Sequence, residues 1–157
     1  MRLSVSMIGP KSMCWEYLAG FFDGEGHVGI AKLRRKGGTF VYAINVSIVN
    51  TNLDLLKEIQ REMGGQIYKS KTRNKKAHRQ SYSLQFTKRQ DQFCILSGML
   101  PFLRIKRVQA SLVVRLIESR NSRGVIPGNH IPYSAEEAEI IGIVRTLNKT
   151  GPSATQN

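Results

Sequence analysis

Two acids stand two residues apart among glycines in Asp23-Gly24-Glu25-Gly26, inside the stretch "YLAGFFDGEGHVGIAK" of residues 17–32. The residues just before them, Leu18-Ala19-Gly20-Phe21-Phe22, read as an apolar helix. Glycine costs a helix about 1 kcal/mol relative to alanine, so Gly20 and Gly24 need a reason. Four positions apart, they share one face and permit very close approach of another helix; a contact inside the domain would use that face equally well. Asp23 and Glu25 fall where the helix ends, where its last carbonyls lack partners and its dipole disfavours further negative charge. A free carboxylate there needs a cation. A hard divalent metal would satisfy Glu25 and could also take a backbone carbonyl such as that of Gly24. Phosphodiester hydrolysis is a reaction that needs such a metal, to orient water and to stabilise the leaving oxygen.

The rest of the chain has the opposite charge. Lys and Arg number 24 against 11 acids, a formal net charge of +13 in 157 residues. Between Glu62 and Glu118 the only acid is Asp91, against twelve Lys or Arg residues. A single-sign field of that extent points to a polyanion. Nucleic acid fits better than a membrane surface, because the cations do not line one amphipathic helix.

The hydrophobic share of 41% excludes wholesale disorder. The length suits one domain, expected over residues 13–150, with an N-terminal extension at 1–12 and a flexible tail at 151–157. Cys14 and Cys94 have no metal-ligand spacing and read as reduced thiols. His27 and His78 likewise lack a paired ligand spacing and read as surface or DNA-contact residues. No convincing signal peptide and no apolar run of ~18 residues is present. The expectation is therefore an intracellular protein of the cytoplasm or an organelle.

The elements that must position the acids follow from periodicity. Residues from Met13 to Phe22 are expected to be helical, with Ser12 as N-cap. "HVGIAKLRR" and "TFVYAINVSIVN" read as strands around a "KGG" turn. In the second of them Tyr42, Ile44, Val46 and Ile48 form an apolar face, and Val41, Ala43, Asn45 and Ser47 form the other. "NTNLDLLKEIQREMGG" is a helix started by Thr51 or Asn52 and stopped by Gly64-Gly65. A second hairpin, "QIYKSKTR" and "RQSYSLQF" joined by "NKKAH", is expected to pack through Ile67, Tyr68, Tyr82, Leu84 and Phe86. Helices follow at about Arg89 to Leu100, at "PFLRIKRVQASLVVRLIESR" and at "SAEEAEIIGIVRTLNK".

The order is α-β-β-α-β-β-α with further C-terminal helices, an α+β fold. Four antiparallel strands packed on helices by one face leave a polar, basic face open. Such a twisted sheet can lie along a DNA groove as a saddle, with alternate side chains at base edges. Lys69, Lys71 and Arg73 are expected on that face, with Asn45, Ser47, Ser81, Ser83 and Gln85. Lys32, Arg34 and Arg35 belong near the first hairpin, and Lys75, Lys76 and Arg79 in or beside "NKKAH" read as phosphate contacts.

"LAGFFDGEG" resembles the LAGLIDADG motif of homing endonucleases, with seven or more of nine positions identical or conservative. The element order resembles that family as well, over roughly residues 13 to 120. The resemblance implies a site-specific, intron-encoded DNA endonuclease that hydrolyses both strands with Mg²⁺. Mn²⁺ would substitute, and Ca²⁺ would support binding without cleavage. Glu25, in the second acidic position, would be the metal ligand, and Asp23 would cap and fix helix ends at the interface. The family usually has Asp where this chain has Glu25. Only one motif is present; the nearest other candidate, "EIIGIVRTLNK", has no acid after its glycine. Cutting two strands needs two carboxylates, so the implied assembly is a homodimer with motif helices packed on a two-fold axis and a pseudo-palindromic target.

The resemblance assigns three more residues. Asn50, closing the second strand, matches a polar residue that holds a water, and is equally a helix N-cap before "TNLDLL". Lys106 in "PFLRIKRVQA" falls on the family's catalytic lysine, with a plain phosphate contact as its other reading. Gln109 matches a glutamine of the water network. The competing function is a member without cleavage that binds DNA or RNA as a transcriptional regulator or intron maturase.

Overall fold

The structure, a computed structural model, describes residues 13–71, 79–126 and 131–150. Its elements are α1 (Trp15–Glu25), β1 (Gly26–Arg34), β2 (Phe40–Asn50), α2 (Leu53–Met63), β3 (Gln66–Lys69), β4 (Tyr82–Phe86), α3 (Arg89–Met99), α4 (Arg107–Ser122) and α5 (Ala135–Thr150). The expected α+β order is therefore present. The four strands form one antiparallel sheet in the order β1-β2-β4-β3.

The apolar face of the sheet is set by strand alternation. Val28, Ile30, Val46, Ile48, Leu84 and Phe86 are buried against Leu18, Phe22, Leu56, Ile59, Ile95, Leu96, Met99 and Ile117 from the helices. Each fully buried side chain of this kind contributes about 1.5–3 kcal/mol. α1 reaches its position by close contact with α3, where the Trp15 indole lies on bare backbone. A Cβ at Gly98 would stand 2.3 Å from that ring.

Several boundaries differ from the sequence expectation. α1 runs from Trp15 to Glu25, with Cys14 in the N-cap position and no side-chain cap bond; Ser12 lies outside the described residues. Asp23 and Glu25 are thus in the helix's last turn. α2 is capped by Asn52, whose side chain accepts from the Leu55 amide at 3.1 Å. α4 begins at Arg107 rather than at Pro101. The amides of Arg104, Ile105 and Lys106 are bonded to Asp23 instead, which holds residues 101–106 as turns.

Two buried polar groups tie the layers together. β2 runs past its last pairing with β4 at Val46 and Phe86. There Gln92 of α3 is buried and donates to the carbonyls of Ile44 at 3.0 Å and Phe86 at 2.8 Å. At the other side α5 packs on α4 and along β1. Its start is a capping box: the Glu137 amide donates to Ser134 Oγ at 3.2 Å, and the Ser134 amide donates to Glu137 Oε2 at 2.9 Å. The same carboxylate accepts from Ser119 at 2.9 Å, Arg123 at 2.6 Å and Arg120 at 3.3 Å.

Burial works against the Glu137 charge, but the Ser134 amide, Arg123, Ser119 and Arg120 outweigh it and lower its pKa to about 2. A carboxylate depressed from 4.5 to about 2 stabilises the fold above its unfolded pKa and loses that contribution as pH falls through the interval. Glu137→Gln should therefore lower stability by roughly 3 kcal/mol at neutral pH. It should also flatten the acid limb of stability between pH 4.5 and 2, which urea midpoints measured across pH would report.

Candidate active site

Two acids from one helical turn acquire different surroundings. The Asp23 side chain turns toward the segment leading into α4. Its Oδ2 accepts from the amides of Arg104 at 2.8 Å and Ile105 at 3.2 Å, and its Oδ1 accepts from that of Lys106 at 3.0 Å. Partial burial opposes its charge, while these three amides and the Lys106 ammonium outweigh burial and hold the carboxyl below the usual carboxylate range. Asp23 is thus a cap, joining the end of α1 to the start of α4 within one chain. Glu25 remains exposed.

Lys106 closes the corner. Its Nζ donates to the Asp23 carbonyl at the end of α1. That carbonyl carries the negative end of the helix dipole, and α1 has no basic residue of its own in the last turn. Desolvation lowers the pKa of Lys106, and the charges of Asp23 and Glu25 push it back up. His27 opens the sheet beside this group; burial and the nearby Lys106 lower its pKa. The structure therefore brings Asp23, Glu25, His27 and Lys106 to one place. Gln109 is half-buried in the first turn of α4.

Asn50 ends β2, paired with Tyr82. Its Oδ1 accepts from the Asn52 amide at 2.8 Å, so it forms the turn before α2 while Asn52 is the cap. The amide nitrogen of Asn50 is still a donor.

Gly20 and Gly24 face outward. A Cβ added at either would meet nothing within 4 Å, so no contact among the described residues explains them. Tyr17 and Phe21, stacked with ring centroids 6.3 Å apart, lie on the same helix, and Tyr17 is 51% exposed.

The open face of the sheet is defined by register. One row crosses all four strands, His27–Ser47–Gln85–Gln66. A second is Val49–Ser83–Tyr68, and Asn45 stands opposite Gly29. Asn45, Ser47, Ser83 and Gln85 are on this face as expected. Lys69 is not. It pairs with Tyr82 and alternates with Ile67, and both Ile67 and Tyr82 pack on the core. Gln66 and Tyr68 occupy the open face in its place, with the Tyr68 hydroxyl donating to Gln66 Oε1 at 2.5 Å. The pairing of Ile67 with the buried Leu84 decides the phase: once Ile67 is core, Tyr68 cannot be.

Lys32 and Arg34 stand opposite Tyr42 and Phe40, on the helix side of β1 near its end, and Lys32 Nζ lies 4.1 Å from the Phe40 ring centre. Ala31 and the exposed Leu33 take the open side. The Arg35 amide donates to the Thr39 carbonyl in the hairpin turn at 2.8 Å. Lys71, Arg79 and Ser81 lie beyond the ends of β3 and β4, where the Ser70 amide still donates to the Ser81 carbonyl at 3.0 Å. Arg73, Lys75, Lys76 and His78 are outside the described residues.

Replacing Asp23 with Ala would leave three amides without their acceptor. Stability should fall by about 2 kcal/mol, and the amides of Arg104, Ile105 and Lys106 should exchange faster with solvent. Unchanged exchange at these three positions would show that the cap does not hold the segment.

Among the described residues no group of three or more His, Cys, Asp or Glu side chains could hold a metal, and no helix is long and apolar enough to cross a membrane. No curated protein matches the sequence. Among solved structures, I-CvuI in complex with its DNA target in 2 mM Ca aligns at 20% identity and a TM-score of 0.56, over 86% of this chain and 92% of that one. I-TnaI, a homing endonuclease, aligns at 18% identity and 0.56, over 85% and 99%. The archaeal intron-encoded homing endonuclease I-Vdi141I, complexed with DNA, aligns at 12% identity and 0.56, over 86% and 96%. These likenesses show the same fold. The LAGLIDADG endonuclease family model matches residues 18–97, slightly more than half of the chain and all of the motif helix from Leu18. The chain belongs to the LAGLIDADG endonuclease family.

Proposed function

We propose that the protein is a divalent-metal-dependent, site-specific DNA endonuclease that acts as a homodimer. The observation that carries this reading is the placing of the Lys106 ammonium on the Asp23 carbonyl in the last turn of α1, the turn that ends in the exposed Glu25 and runs into the first strand of the sheet. A carboxylate and a cation beside a polar face suit a phosphodiester. The relatives with this fold support it: I-CvuI was solved with DNA in 2 mM Mg, the DNA not cleaved, and in 2 mM Ca.

The donors fit a hard metal in kind but not in number. Glu25 offers carboxylate oxygens and Gly24 a carbonyl, whereas such ions take six or more oxygens. A second Glu25 and the DNA phosphates would complete the set. Bound there, Mg²⁺ or Mn²⁺ would stabilise charge on the phosphate and acidify water. The chain's own groups do the positioning. Lys106 places positive charge beside the phosphate, held by the Asp23 carbonyl. Asn50 and Gln109 offer polar groups for solvent.

A homodimer follows from the single motif and the outward glycines. On the open face, Asn45, Gln66 and Gln85 have the amide groups that pair with adenine, and Ser47, Ser83 and Tyr68 offer hydroxyls. Lys32, Arg34, Arg35, Lys69, Lys71 and Arg79, with Arg73, Lys75 and Lys76, would contact phosphates and set the salt dependence of binding.

Cleavage selection from a near-palindromic duplex library, with Mg²⁺ and with EDTA, tests the reading. Wild type should cut one recurrent symmetric site only with the metal. Glu25→Gln should bind that site and not cut it; surviving cleavage would remove Glu25 as ligand. Specific binding without cleavage under any divalent ion would favour a regulator, and selection of RNA would favour a maturase.

Gly20→Leu tests the assembly. Among the described residues the added side chain meets nothing within 4 Å at its Cβ, so the fold should persist. Sedimentation should then show monomers, because close helix packing tolerates no such bulk. A dimer of unchanged affinity would place the interface elsewhere.

A further inference from the structure

His27 lies on the open face at the start of β1, two residues after Glu25, and the fold supplies a seat for it. Gly29, two positions along on the same face of β1, is buried although it faces the open side. What covers it is specific. A Cβ at Gly29 would stand 2.4 Å from Asn148 Nδ2, 2.9 Å from His27 Nε2 and 3.2 Å from His27 Cε1. The imidazole thus leans over bare backbone that any other residue would fill. Asn148 holds the other side of the seat from α5. Its Nδ2 donates to the Val28 carbonyl at 3.1 Å, fixing a polar side chain from 120 positions away beside the ring.

A ring that lies over bare backbone beside an anchored polar side chain, yet is exposed to solvent, is open to a contact outside the chain. The function proposed above would bring a phosphodiester to Glu25 and Lys106. The imidazole is two residues from Glu25 in sequence and close enough for the Lys106 charge to act on it.

We propose that His27 is a DNA-contacting residue at the cleavage centre. Its ring N–H would donate to a non-bridging oxygen of a phosphate next to the scissile one, with Gly29 and Asn148 as positioning residues that aim it. This rests on the endonuclease reading and adds a contact that neither the acids nor the basic hairpin residues provide. The contact fixes where the strand lies relative to Glu25.

The test is a chemical double-mutant cycle on the selected target. Single methylphosphonates, which remove one phosphate charge, are placed at each of the positions flanking the scissile bonds. Binding is measured in Ca²⁺ and single-turnover cleavage in Mg²⁺, for wild type, His27→Ala and Asn148→Ala. In wild type one flanking methylphosphonate should weaken binding about tenfold or more, the size expected for a hydrogen bond to a charged group. In His27→Ala the unmodified target should lose a similar factor, and that methylphosphonate should have no further effect. Asn148→Ala, which keeps the ring but loosens its seat, should reduce the interference at the same phosphate and no other.

A His27→Ala protein with the full wild-type interference pattern would overturn the contact. Equal loss at every position in the variant, accompanied by a lowered melting temperature, would overturn it too, by making His27 a purely structural residue. Failure of the endonuclease reading is separate: the wild type would then bind DNA and not cut, while interference in Ca²⁺ still decides the contact. A wild type that binds no DNA would remove both.

Discussion

The bond between the Asp23 carboxylate and the three amides of residues 104–106 is the joint on which the site depends. α1 and the entry to α4 are about eighty residues apart in sequence, and both arrive with problems at their ends. α1 finishes with two acids at its negative pole. The segment before α4 presents amides that the coming helix cannot satisfy. One carboxylate answers both problems, and in doing so draws Lys106 onto the last turn of α1. Two neighbouring acids then separate in role without any difference in intrinsic chemistry. Asp23 is consumed by amides, and Glu25 is left facing solvent.

The same allocation shapes the electrostatics of the whole chain. The acids that meet partners inside the fold include Asp23, held by amides, and Glu137, held by two arginines and two serines. Arg120 and Arg123 share that one carboxylate, on the helical side. The cations of the hairpins have no comparable cluster of acids near them in sequence, and the chain carries a net +13. A positive net charge of this size can steer a polyanion toward the protein. The bases would be read by the uncharged residues of the open face.

The motif helix, the element order and the apolar face of β2 were legible because each repeats a strong period. The β2 alternation of Tyr42, Ile44, Val46 and Ile48 even predicts which face is open. β3 was misread because four residues contain too few periods to set a phase. Lys69, Lys71 and Arg73 share parity, and charge invited placing them on the DNA side. Ile67 has the same parity and decides the matter, since burial of an apolar side chain outweighs the placement of a lysine that can reach water from either face. The start of α4 was misread for another reason. Nothing local in "PFLRIK" reveals that its amides are taken by Asp23. That bond is a tertiary fact, as is the His27–Gly29–Asn148 arrangement, which joins β1 to a helix 120 positions later. The chemistry-bearing residues were visible in sequence; the contacts that assign each its role were not.

The outward face of α1 also limits how a dimer could form. Bringing two copies together at Gly20 and Gly24 would bring together two Glu25 carboxylates, each at the negative end of a helix. Charge repulsion and both dipoles oppose that approach. Each Lys106 offsets part of this, but its ammonium is already bonded to the Asp23 carbonyl. A divalent cation held between the carboxylates would remove the repulsion, and DNA phosphates on the same cation would draw the duplex to the axis. Anything that binds the dimer more tightly than the monomer must, by linkage, stabilise the dimer. Assembly, metal binding and DNA binding at such a site are then one coupled equilibrium, with the exposed Glu25 as the group that couples them.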